Sequence, residues 1–316
     1  SSSDKYYDGD TSAWRGLLIN RLSVYAMLAY VEAWKANYVD AEAYTAYVIK
    51  NIDTYIKGSP DYVTIANLVS PTGIFSQEYS NDYKAARLVT FGYRYGTDNA
   101  NETGTDGHLE SWTLAEPIIR KQLPEIYVPI DTLKNLFMSQ FTTDNRFGYD
   151  ELSKPMKYYS NYVTGLSREY PIFSKINVVR EGKDNTGDLG VFTSFIIWSR
   201  LEDILLLRAE ALVMLNRSED AINCLNELRG VRNLRNLSYL KDLKGDAKAL
   251  LKEIFRERRR ELMGEGHRWF DRIREARTVG DDDAMIKLIN EGGIYWPIAE
   301  EVIRENPSIT QNEYWK

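Results

Sequence analysis

Apolar positions recur at helical spacing in two separated parts of the chain. Between residues 14 and 56, Leu18, Leu22, Tyr25 and Ala29 follow one another at steps of four, three and four, which is one face of a helix. The stretch "KANYVD" breaks that rhythm, and Ala41, Thr45, Val48 and Ile52 begin a second face. Two helices joined by so short a turn predict an antiparallel hairpin. Residues 199–233 repeat the plan, with Leu201, Leu205, Ala209 and Leu212, then the break "LNRSED", then Ala221, Leu225 and Leu228.

Ala41 and Ala221 hold the same place, a small residue early in the second helix where two helices approach closely. A helix pair of about 34 residues with such an alanine is the tetratricopeptide pattern. Two copies this far apart do not make an uninterrupted solenoid. The sequence between them is of another kind. Residues 58–110 are rich in Gly, Ser, Asn, Thr and Tyr, with breakers at "GSP" and "SPTG". "GIFSQEYSND" alternates like a short strand. Residues 91–112 read as a long loop, and such loops in compact domains usually serve a function or are disordered. Helix resumes near Ile130 with Asp131 as its expected N-cap, and "KDNTGDLG" is again turn-rich. From Asp246 to Met263 the pattern is helical, Gly264 and Gly266 interrupt it, and it continues through Arg277 before a closing run of turns and a short helix.

Composition narrows the function classes. The chain has 316 residues, 43% hydrophobic and 27% charged, enough to build a packed core. A net charge of −6 gives no footprint for nucleic acid, which requires a clustered basic face. No apolar run approaches the ~18 residues of a membrane span. The opening "SSSDKYYDGDTSAW" reads as an exposed start without a signal-peptide pattern. Cys224 is the only cysteine, so no internal disulfide is possible. The 22 tyrosines and 7 tryptophans exceed what a core of this size needs, and rings with a polar tip suit half-wet ligand platforms.

One stretch looks chemical. "ELMGEGHRWFDRIREAR", residues 261–277, carries His267 beside Glu261 and Glu265. No HExxH, GxSxG, GxxxxGK[ST] or GxGxxG pattern occurs, and a Cys–His dyad would require Cys224, which sits among core positions of a helix. Residues 256–277 hold eight arginines, but Glu257, Glu261, Glu265, Asp271 and Glu275 are interleaved with them. Glu257 with Arg260, Glu265 with Arg268 and Asp271 with Arg274 stand acid first at i,i+3, the order of a salt-bridged helix surface. The reading favoured is architectural. Trp269 and Phe270 wedge the restarted helix against the hairpins, and Arg259, Arg268 and Asp271 form a polar lock. Trp34, Trp198 and Trp269 read as core. "DDD" at 281–283 could hold calcium but is more simply a solvated helix start.

The run "RRRELMGEGHRWFDRIR" resembles the C-terminal signature of the SusD/RagB family of Bacteroidetes outer-membrane nutrient-binding lipoproteins. The likeness rests on Arg259, Arg260, Glu261, Leu262 and then Glu265 through Asp271. "RLEDILLLRAEAL" is similar to the family's tetratricopeptide helix, "GIFSQEYSND" to its central strand, and "IYWPIAEEVIRENPSITQNEYW" to its closing segment. The resemblance implies a mainly α-helical fold, with tetratricopeptide-like hairpins as scaffold (residues 14–57 and 196–235), an irregular loop-rich ligand region (58–195) and a signature region (240–316). It implies no catalysis and no cofactor. It implies a protein on the extracellular face of the outer membrane that presents oligosaccharides, or in some members peptides, to a SusC-like TonB-dependent transporter. A tetratricopeptide-type adaptor that binds protein segments is the runner-up. A glycoside hydrolase, which needs a facing carboxylate pair, is third. Two departures stand out: Cys224 is internal and cannot be the family's lipidated N-terminal cysteine, and members are longer, with a helical N-terminal portion before the repeat near Trp14. The chain is thus expected to be the C-terminal portion of such a protein, with membrane attachment through a lipid anchor it does not contain.

Sugars stack their C–H faces on aromatic rings while polar side chains fix the hydroxyls, so rings on loops are the ligand candidates. Tyr79, Tyr83, Tyr93, Tyr95 and Trp112 lie in or beside residues 70–112, with Arg94, Asp98 and Asn99 among them as hydrogen-bonding partners, joined by Asn81, Asp82 and Asn101. Trp112 and Tyr95 are the foremost. Phe75 and Phe91 are expected to pack beneath the loop.

Overall fold

The computed structural model describes residues 5–6, 9–10, 19–55, 62–76, 87–91, 108–137, 143–150, 152, 154, 157–181, 190–306 and 308–316. Its helical scaffold is two hairpins of the same build. In the first, α1 (Arg21–Trp34) is followed by α2 (Tyr38–Tyr55). Asn20 starts α1 by a reciprocal cap: its side chain accepts from the Ser23 amide and its own amide donates to the Ser23 hydroxyl, both at 3.1 Å. The turn passes through Ala36 at φ +61°, and Asn37 N–H closes it on the Glu32 carbonyl at 2.8 Å.

Three further short helices, α3 (Ile65–Val69), α4 (Leu109–Thr113) and α5 (Ile130–Phe137), lie between the hairpins. The second hairpin is α6 (Leu201–Met214) and α7 (Ser218–Val231). Its turn puts Asn216 at φ +59° and closes Arg217 N–H on Leu212 at 2.8 Å, matching the first turn bond for bond. The expected inner faces are buried where described, except that Tyr25 is half-buried: Leu22, Ala29, Ala41, Thr45, Val48 and Ile52 in one hairpin, and all seven positions from Leu201 to Leu228 in the other. Leu18 lies outside the described residues. The copies are distant in sequence but neighbours in space, because Ala29, Ala33 and Ala41 form one buried cluster with Leu207 and Ala211. Alanine there lets the α2 and α6 backbones approach.

Beyond the second hairpin, α8 (Ala247–Glu261), capped by Asp246, packs its Leu250, Ile254 and Phe255 onto Leu205, Leu225 and Leu228. Then come α9 (Arg268–Val279), α10 (Asp283–Asn290) and α11 (Glu300–Glu305). Asp282 caps α10 by accepting from Met285 N–H at 3.0 Å, so the triple-aspartate run is a helix start. Among the described residues no group of three or more acids, histidines or cysteines is arranged to hold a metal. No described helix is long and apolar enough to cross a membrane.

Among the described residues the strands are short and pair only in twos, all antiparallel. They are β1 (Lys5–Tyr6) with β2 (Gly9–Asp10), β3 (Arg87–Phe91) with β10 (Ile196–Arg200), β4 (Phe147–Asp150) with β5 (Lys157–Ser160), β6 (Val163–Thr164) with β7 (Ile172–Phe173), and β8 (Val179–Glu181) with β9 (Gly190–Phe192). The loop-rich stretch nonetheless has a core of its own, in which Phe75, Leu133, Phe137, Phe147, Tyr162 and Phe173 meet. Three local expectations change. Gly73 to Ser76, the start of "GIFSQEYSND", form turns, since Ile74 and Phe75 are both buried and cannot alternate across a strand; the strand comes later, at β3. Asp131 falls in the first turn of α5 instead of capping it, as Leu133 N–H already bonds to the Pro129 carbonyl. Phe91 is 53% exposed, whereas Phe75 is buried as expected.

Candidate functional site

The signature stretch resolves into two buried charge clusters. In the first, the Glu261 carboxylate accepts from Arg232 at 2.7 and 2.8 Å and from Arg146 at 3.0 Å, and pairs with Arg200 at 2.9 Å. Glu257 pairs with Arg146 at 2.6 Å and Arg260 at 3.0 Å, and Glu265 with Lys175 at 2.5 Å and Arg200 at 2.9 Å. Asp144, Glu202, Glu253 and Arg229 complete a set of six carboxylates and six cations, all buried. The set joins α6, α7 and α8 to the loops carrying Asp144, Arg146 and Lys175. In the second cluster, Arg258 bonds to Asp203 at 2.8 Å and Asp271 at 3.0 Å, and Arg274 bonds to Glu210 at 3.0 Å and Asp271 at 2.9 Å. Tyr30 from α1 donates to Asp203, accepts from Arg258 at 2.9 Å and stacks near His267. His267 is buried at the junction of the hairpins, a piece of the scaffold.

Three features of this stretch differ from expectation. Glu257–Arg260 and Asp271–Arg274 do pair, but in the interior, and Glu265 turns inward to Arg200 and Lys175 instead of reaching Arg268. The lock uses Arg258 and Arg274 with Asp271, while Arg259 and Arg268 face outward, because one residue along a helix turns the side chain by about 100°. Trp269 is 37% exposed and is not core; Phe270 is also exposed, though its edge meets Trp34 at 6.1 Å. Gly264, at φ +80°, leaves the break in register with β7: a Cβ there would meet the Phe173 ring at 2.5 Å.

These charges set a pH response. Coulombic attraction to the arginines, against the cost of burial, holds Glu257, Glu261 and Asp271 below the ordinary carboxylate range, and Glu265 at about 2. A carboxylate depressed in the folded state stabilises the fold above its unfolded value of 4.5, and that stability is lost as pH falls toward about 2. Glu110 works in the opposite sense, since burial raises it, but it is one group against four. The melting temperature is expected to hold above about pH 5 and to drop steeply below it in an acid melt series; a flat profile down to pH 3 would contradict this.

Of the residues expected at the ligand site, the structure describes only Trp112. Tyr79, Tyr83, Tyr93, Arg94, Tyr95, Asp98 and Asn99, with Asn81, Asp82 and Asn101, lie outside the described residues. Trp112 belongs to the one-turn helix α4, which occupies the end of what the sequence suggested was loop. Its fixation is local and complete. Ser111 and Thr113 hydroxyls bond back to the His108 and Leu109 carbonyls at 2.7 and 3.1 Å, and the Trp112 carbonyl accepts from Glu125 and Ile126 amides at 2.8 and 3.0 Å. Glu110 and Thr113 are buried, Leu114 and Ala115 pack with Ile172 and Phe192, and Trp112 is left 41% exposed. The following segment exposes Leu123, Ile126 and Tyr127, and Tyr127 meets Tyr170 edge-on at 5.0 Å. Sequence reasoning missed this neighbourhood because these rings follow the Gly-rich run and carry no loop signal.

Beneath α4, His108 Nδ1 lies 3.3 Å from the Ser194 hydroxyl, and burial pushes the nearby Glu110 carboxyl up. Ser, His and Glu thus meet, but not as a nucleophilic triad. Neither Glu110 carboxyl oxygen has a hydrogen-bond partner among the described residues, whereas a triad sets the carboxyl on the second imidazole nitrogen. Cys224 is buried in α7, which pushes its thiol up to about 11, away from nucleophilic use.

Comparison with known proteins fits this arrangement. A SusD superfamily protein of Bacteroides thetaiotaomicron, known by crystal structure, is 41% identical with a TM-score of 0.83 over 100% of this chain and 62% of its own. A SusD-like protein of Formosa agariphila is 36% identical over 121 residues, 37% of this chain and 24% of that protein. Surface glycan-binding protein A of Bacteroides uniformis shares the fold at 17% identity and TM-score 0.55, over 94% of this chain and 61% of its own. The chain therefore spans less than two thirds of the length of each. A model of the SusD family matches residues 90–315, and the chain belongs to that family, whose members are binding proteins and not enzymes.

Proposed function

We propose that the protein captures oligosaccharides at the cell surface, on the extracellular face of the outer membrane, and passes them to a SusC-like TonB-dependent transporter. The observation that carries this reading is Trp112, an exposed ring on a backbone held by hydrogen bonds, on the scaffold of a SusD-family member. A ring carried on an ordered backbone binds without the entropy cost of ordering that backbone. The fold likeness to surface glycan-binding protein A of Bacteroides uniformis supports the same ligand class. Tyr79, Tyr83, Tyr93, Arg94, Tyr95, Asp98 and Asn99 complete the proposed contacts. Peptide capture, in the manner of a RagB-like member, is the second reading, supported by the same apolar patch of Leu123, Ile126 and Tyr127. Incubating the full-length protein with labelled glycans separates the possibilities. The expected result is retention of oligosaccharide of unchanged length. Shortening over hours would overturn the binding-only reading, and retention of peptides alone would favour the second.

A further inference from the structure

The outward side of the signature stretch is a cleft that the charge clusters do not use. Two adjoining cavities of about 440 and 660 Å³ lie between α5 on one side and α8 and α9 on the other, sharing Thr132, Leu136, Arg259 and Arg268. The smaller is walled by apolar groups, among them Leu109, Val128, Leu262, Met263 and the half-exposed Trp269. The larger is rimmed by Lys252, Arg256, Glu253, Glu275 and Asp281.

The rim charges are unequally satisfied. Lys252 pairs with Asp281 at 2.5 Å, Arg268 with Glu275 at 3.2 Å, and Arg256 with Glu253 at 3.6 Å, while Arg258 and Asp271 at the floor belong to the buried cluster. Arg259, which lines both cavities, has no ion pair or hydrogen bond to any described residue. Partial burial and then the Arg268 charge push its guanidinium down, against the opposing pull of Glu275, and Arg256 adds to the push. A guanidinium near two others, with Glu275 in its field but no carboxylate in direct contact among the described residues, can take an oxyanion by two parallel hydrogen bonds. The acids interleaved along the rim are unsuited to a polyphosphate backbone. An exposed indole beside the free cation suits a small ring that carries one anionic group.

We propose that this cleft is an anion-selecting subsite, which takes the carboxylate or sulfate of an acidic oligosaccharide on Arg259 and Arg268 with the sugar ring against Trp269. The subsite adjoins the site proposed above, since Leu109 in its wall and Trp112 share the single turn of α4. It rests on the glycan reading and deepens it by naming the charge class of the ligand.

The test is calorimetry on the full-length protein with an oligogalacturonide, a sulfated galacto-oligosaccharide, the neutral galacto-oligosaccharide and a glutamate-rich peptide. One of the two acidic sugars is expected to bind about tenfold tighter than the neutral one at low salt, with the preference shrinking as salt rises. Arg259→Gln should abolish that preference while leaving neutral-sugar affinity and melting temperature unchanged, and Arg259→Lys should restore part of it. A preference that survives Arg259→Gln, an absence of preference in the parent, or an Arg259 effect confined to the peptide would each overturn the proposal. If the neutral sugar binds in these cases, the glycan reading survives; if no sugar binds at all, both fall.

Discussion

Glu261→Gln is expected to cost about 3–5 kcal/mol of folding stability, the loss typical of removing one partner from a buried ion set. The substitution keeps the shape of the side chain and removes only its charge. It leaves Arg146, Arg200 and Arg232, all fully buried, short of their common carboxylate. All three guanidinium side chains have no solvent exposure. Since domains are typically stable by about 5–15 kcal/mol, the variant should unfold at a much lower urea concentration with a similar m-value. Glu300→Gln, on the exposed face of α11, is the control and should change stability by no more than about 0.5 kcal/mol. A loss below about 1 kcal/mol for Glu261→Gln would mean that the cluster does not bear on stability as its burial implies.

The largest effect on binding is expected at the rings of the 91–112 segment. Trp112→Ala and Tyr95→Ala should each weaken oligosaccharide affinity by about five- to thirty-fold, since an aromatic anchor at a binding site commonly contributes 1–2 kcal/mol. Trp112 makes its backbone hydrogen bonds through atoms that alanine also has, so the turn of α4 should persist and the melting temperature should hardly move. Trp34→Ala is the opposite case. That ring packs against Phe270 and lies under the Arg277 guanidinium at 4.6 Å, so its removal should cost about 2–4 kcal/mol of stability and leave affinity of the folded protein intact. Calorimetry on variants checked for folding distinguishes the two. Equal affinities for parent and both loop variants would place the site elsewhere.

The helical scaffold was legible because its signals are local. The inner faces of both hairpins follow from spacing alone, and the small residues Ala41 and Ala221 mark the close approach of each helix pair. The spatial pairing of the two hairpins was not legible, because it depends on how the chain between them folds back. The buried charges were harder still. An acid-first i,i+3 pair such as Glu257 and Arg260 looks the same on a helix surface and in an interior; what decides is Arg146, more than a hundred residues earlier in the chain. The choice of Arg258 over Arg259 for the interior is a matter of helix phase, and the glycines at 264 and 266 leave that phase undetermined across the break. At the candidate site, the sequence pointed to Trp112 through its ring chemistry, and the structure adds the fixation of α4 and the neighbouring Tyr127 and Tyr170. Loops offer no periodicity from which such neighbours could be read.

The most direct test of the central claim, that aromatic rings of the 91–112 segment on a charge-locked SusD-family scaffold bind glycans, is a mixed glycan and peptide array probed with the full-length protein and with the Tyr95→Ala, Trp112→Ala double variant. The account predicts signal on a set of oligosaccharides for the parent and its loss in the equally stable double variant. Undiminished oligosaccharide signal in the double variant, or parent signal on peptides alone, would contradict it.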